Sequence, residues 1–145
     1  MPTSNAATTY LEHKILDFLF KNNSSSFTTP GNSLYVGLAT GSPSAADRDA
    51  GTLTEANFGS YARQQVTAAN WNLVSASTDQ QVVTNAANIE FPASTGTSNT
   101  VTIAFIADAS TSGNILFVGE LDASKTIATG DIFRINSGNL SIELK

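Results

Sequence analysis

The chain has no cysteine, one histidine, one tryptophan and four prolines. Without thiols there can be no disulfide, no thiolate nucleophile and no cysteine-based zinc site. Charged residues are 13% of the chain, about half the usual share. The seven basic residues are scattered singly in a chain of net charge −5, which argues against a phosphate-tracking surface. Nucleic acid is therefore not an expected partner. No apolar run approaches the roughly 18 residues that span a bilayer, so a membrane is not expected either. The start, MPTSNAATTYLEHK, lacks the basic n-region of a secretory signal, and Asp17 breaks the apolar run from Ile15 to Phe20. The expectation is a soluble part made in a cytoplasm.

What the chain does contain is Ser, Thr, Asn, Ala and Gly in place of surface charge, a composition found in extracellular β proteins, viral coat components and adhesins. At 145 residues it fits one domain, which at that size buries about two thirds of its unfolded surface. The organising stretch is VTIAFIADASTSGNILFVGEL, Val101 to Leu121. Two β-branched, aromatic-rich runs flank a polar turn too short for a parallel crossover, so they read as an antiparallel pair. Strict alternation puts Val101, Ile103 and Phe105 on one side and Thr102, Ala104 and Ile106 on the other. In the return run Ile115 and Phe117 oppose Leu116 and Val118. Both faces are apolar, which places the pair inside a layered structure.

Residues 1–8 read as a flexible arm. Thr9-Tyr10-Leu11-Glu12 fits a capping box, and Leu11, Ile15, Phe18 and Leu19 follow at helical spacing. A helix over 9–21 is predicted, stopped by Asn22-Asn23 and three serines. Pro30-Gly31-Asn32 is a turn before an alternating strand through Leu34, Val36 and Leu38. Residues 41–59 read as a long loop carrying Asp47-Arg48-Asp49. Further strands are expected at Tyr61 to Ala68 and on towards Trp71 and Val74, at Gln80 to Thr84 and at Asn88 to Phe91. The chain then turns at Asp122 to Ser124, with a hairpin turn at Asn136 to Asn139 between strands at Ile132 to Ile135 and Leu140 to Leu144. The fold class is all-β, an antiparallel β-sandwich or jelly roll of about eight strands with one short N-terminal α-helix. The division expected is an arm and amphipathic helix over 1–24 and a β-sandwich domain over 25–145.

Candidate chemistry is sparse. His13 lies on the predicted helix, where a surface role outweighs a catalytic or metal role. The acids at Asp79, Asp108, Asp122 and Asp131 fall singly at turns, where backbone hydrogen bonding explains them better than a glycosidase pair does. Asp47-x-Asp49 with Gly51 and Glu55 is faintly similar to a calcium loop but lacks its spacing. No phosphate-cradling glycine motif occurs. Arg63 and Arg134 sit in predicted strands, where each needs an acid such as Glu55, Glu90 or Asp131, or a subunit contact. No enzyme activity and no cofactor or metal are expected.

The order of signatures LEHKILDFLF, SLYVGLATGSPS, TEANFGSYARQQVT, NIEFPASTG, IADASTSGNILFVGEL and TIATGDIFRINSGNLSIEL covers roughly residues 10 to 144. It resembles a family of small tailed-bacteriophage virion proteins, often labelled tail fibre protein, some of whose members resemble capsid cement or decoration proteins. Relatives often carry a Trp-Gly step where Thr97-Ser98-Asn99-Thr100 stands here, which puts any contact of that tryptophan in doubt. The resemblance implies a non-enzymatic structural role on the virion and no catalytic residues to transfer. Its first implied reading is a capsid cement protein on the capsid exterior, self-associated as a homotrimer and bridging the major capsid protein. Tyr10, Leu11, Ile15, Phe18, Asp47, Arg48, Asp49 and Arg63 are the expected partner-binding residues. The alternatives are a tail-fibre or receptor-binding part, with Tyr61 or Trp71 exposed to host glycans, and a lectin-like carbohydrate-binding module.

Overall fold

The computed structural model describes residues 6–21, 34–77 and 80–144. Its elements are β1 (Ala6–Ala7), α1 (Thr9–Lys21), β2 (Leu34–Thr40), α2 (Ala45–Ala50), β3 (Thr54–Glu55), β4 (Gln64–Val66), β5 (Trp71–Ser77), β6 (Gln80–Asn85), β7 (Ile89–Glu90), β8 (Asn99–Ala107), β9 (Ile115–Ile127), β10 (Arg134–Ile135) and β11 (Ser141–Leu144). The class is the expected one: all-β, antiparallel, a sandwich with a short N-terminal helix. The largest sheet runs β1-β9-β8-β2-β3, with β4 also on β2; β11-β6-β5 and β10-β7 form two smaller sheets. The flexible arm expected over 1–8 is corrected in its last part, where Ala6 and Ala7 pair with β9 and Thr8 is buried; its residues 1–5, the helix stop at 22–26 and the turns at 30–32 and at Asp79 lie outside the described residues.

As the apolar runs imply, β8 and β9 are interior strands of the main sheet, and both faces of β8 are buried. Ala104 and Ile106 join Val36, Leu38, Phe58 and Phe91 in one core. Ile103 and Phe105 join Ala39, Ala107 and Val118 in a second. Strict alternation fails at Val101, which falls in the first core with Ala104 and Ile106. The cause is a bulge on β8 itself: Ile103 pairs with Ala39 of β2 and Val101 with the next residue, Thr40, so Thr102 is an extra residue there, and residues 121–124 of β9 bow out opposite it. Such an irregularity reverses the facing of everything beyond it. The expected turn at Asp122 to Ser124 is this outward bow, inside one long strand. A second shift beside Ala107 separates Ile115, which packs on the second core, from Phe117, which packs on the first.

Three other expectations are corrected. Residues 41–59 are not one loop but hold α2 and β3. Ser44-Ala45-Ala46-Asp47 is a capping box: Ser44 Oγ accepts from the Asp47 amide at 3.1 Å, and the Asp47 carboxylate accepts from the Ser44 amide at 3.1 Å. Gly51, at φ +69°, closes the helix in the left-handed region. The strand expected over Tyr61 to Ala68 shrinks to Gln64–Val66. Finally, Asn136 to Asn139 is not a hairpin turn, because β10 pairs with β7 whereas β11 pairs with β6.

That last connection folds over Asn85, which is fully buried. Its amide donates to the carbonyls of Ala87 (2.8 Å) and Asn136 (3.0 Å), and its side-chain oxygen accepts from the Leu140 amide at 2.9 Å. The Gly138 amide returns to the Asn85 carbonyl at 2.8 Å. One side chain thus satisfies backbone groups that a hairpin ladder would otherwise have paired.

Candidate contact surface on the N-terminal helix

The helix α1 spans the 9–21 expected, but its cap is Thr8 and not Thr9. Its Oγ1 accepts from the Leu11 amide at 3.4 Å and donates to the Ile115 carbonyl at 2.6 Å, while its amide donates to the Leu116 carbonyl at 2.9 Å. The start of the helix is thereby riveted to β9. Leu11 is buried there and Ile15 is half-buried, so this stripe serves the chain's own packing.

Beyond that anchor the helix is apolar where it meets water. Of the seven large hydrophobic residues exposed among the described residues, five lie on α1: Tyr10, Leu16, Phe18, Leu19 and Phe20. Such concentration on one short element marks a contact surface, whereas scattered apolar residues would mean nothing. Tyr10 carries the Lys14 ammonium over its ring at 5.7 Å. The sequence did hold a signal for the residues passed over: Leu16 and Phe20 stand at i and i+4, a row beside that of Leu11, Ile15 and Leu19.

The remaining expected contact residues divide. Asp49 is exposed on α2, which touches α1. Asp47 is committed to its cap, and the Ser44 hydroxyl and amide hold its carboxyl below the ordinary range. Arg48 is buried, its Nη1 donating to the Pro43 carbonyl and to Glu120, each at 2.8 Å. Arg63 lies just outside β4, and its Nε and Nη2 clasp both oxygens of Glu55. Its guanidinium also sits 5.1 Å from the centre of the Phe105 ring. Arg134 takes Glu90, the cross-strand neighbour on β7.

Burial alone would raise the Glu55 carboxyl, but the hydrogen bonds from Arg63 and Tyr61 outweigh it and hold the group below its ordinary range. Burial pushes the Tyr61 phenol up. That hydroxyl donates to Glu55 at 2.7 Å and accepts from the Leu38 amide at 3.0 Å. Its ring stacks on Phe91 and meets Phe58 edge-on. Trp71 packs against the same core. Neither aromatic stands on a loop tip as the glycan-binding alternatives require.

His13 is exposed on α1. Among the described residues no group of three or more His, Asp or Glu side chains comes together in a way that could hold a metal ion. Of the residues in the faint calcium pattern, Asp47 and Glu55 are engaged as above. An open cleft of about 270 Å³ is lined by Ser42, Thr102, Glu120, Asp122 and Ser124 among others, and of its two carboxylates that of Glu120 is paired with Arg48. Among the described residues no helix is long and apolar enough to cross a membrane.

No curated protein matches the chain. A family profile described as podophage GP4 fiber I protein gp80 matches residues 6–143. That span runs from β1 into β11 and takes in α1, both cores and the Arg63 clasp. The chain belongs to this family of phage fibre-type virion proteins.

Proposed function

We propose that the chain is a structural component of a podophage fibre, held in the virion by protein–protein contact and performing no reaction of its own. The observation that carries this reading is the distal half of α1, where Leu16, Phe18, Leu19 and Phe20 are exposed on a helix anchored to the body at its start. Burying such side chains against another protein is worth about 25 cal/mol per Å² of apolar surface covered. Of the charged groups that sequence reasoning weighed for chemistry, Asp47 is spent on the cap of α2 and Glu55 on Arg63. The family's description as a fibre protein supports a fibre seat over the capsid.

Cement on the capsid exterior, bridging the major capsid protein, remains the second reading, favoured by the low-charge surface. Quantitative mass spectrometry of purified particles separates the two. A fibre component should be present at a small fraction of the coat protein's copy number, and antibody labelling should mark fibres. Copy numbers on the scale of the coat protein, with label over the shell, would replace the fibre reading by cement.

A further inference from the structure

We draw no further inference here: the strongest candidate, the apolar surface exposed at Leu16, Leu19 and Phe20 on the distal half of α1, carries none because nothing in the structure shows what covers it.

Discussion

Arg63 and Glu55 form a side-on, two-bonded ion pair, Nε to Oε1 at 2.8 Å and Nη2 to Oε2 at 2.9 Å. Only 6% of the arginine side chain is exposed, against 35% of the glutamate. The remaining nitrogen, Nη1, donates to the carbonyls of Ala109 and Ser112, each at 2.8 Å. One side chain therefore joins β3 to the loop between β8 and β9 and lies over Phe105 between them.

Replacing Arg63 with Met removes the charge but keeps much of the stem. It strands a partly buried carboxylate and frees two carbonyls, so stability should fall by about 3 kcal/mol, the low end for a broken buried pair because Glu55 keeps some water. Urea unfolding should show a lower midpoint at unchanged slope. Lysine should restore only part of the loss, since it cannot supply the fork.

The same pair sets an acid dependence. Glu55 titrates below its ordinary value in the folded chain, so its contribution is complete above that ordinary value. It is lost as pH falls through the depressed folded value. Comparing urea midpoints at neutral and acid pH, the parent should lose more stability on acidification than Arg63→Met does. Equal losses would remove Glu55 from the account.

Gly37 pairs with Phe105 across β2 and β8, and a Cβ built on it would lie 2.2 to 2.8 Å from three ring atoms. Arg63 near the ring leaves it little freedom to retreat. Alanine in mid-strand ordinarily improves on glycine. Here Gly37→Ala should instead cost about 1–3 kcal/mol through overpacking, and shortening the ring with Phe105→Leu should recover part of it. Thermal melts of the single and double variants test this.

Asn85→Ala should cost at least about 3 kcal/mol, because the Leu140 amide and two carbonyls lose partners in a buried place. Hydrogen exchange should accelerate first at Gly138 and Leu140. An effect confined to β6 would show that the side chain does not organise the last connection.

Ser44→Ala removes one half of the α2 cap. The site is exposed, so a loss of only about 1 kcal/mol is expected. Faster exchange at the Asp47 and Arg48 amides, without change around β8, is the local signature.

The fold was most legible where propensity and periodicity agree over many residues. The β8–β9 pair and the 13 residues of α1 are of this kind, since each is long enough for its pattern to outweigh local accidents. What stayed hidden depends on single irregularities. Nothing in VTIAFIA marks the bulge at Thr102 that moves Val101 to the other core, because it shows only in the register against β2 and β9. The cap at Ser44 was in plain view but was outweighed by the Pro and Gly around it. The acid partners available to Arg63 and Arg134 were legible as a set, and the structure selects Glu55 and Glu90 from it. Asn85 carried no signal, since a buried asparagine in a polar, Asn-rich chain looks like any other.

The loop from Asp108 to Asn114 is secured almost entirely through main-chain atoms and its two end residues. Arg63 reads carbonyl oxygens there, and Asp108 accepts from the Asn114 amide at 2.7 Å and from its side chain at 2.9 Å. Ser110 and Thr111, exposed between those fixings, contribute no side-chain fastening to the clasp. Their identities can drift while the mount beneath keeps its shape, so this tip offers the molecule a place to vary what it displays without renegotiating how it folds.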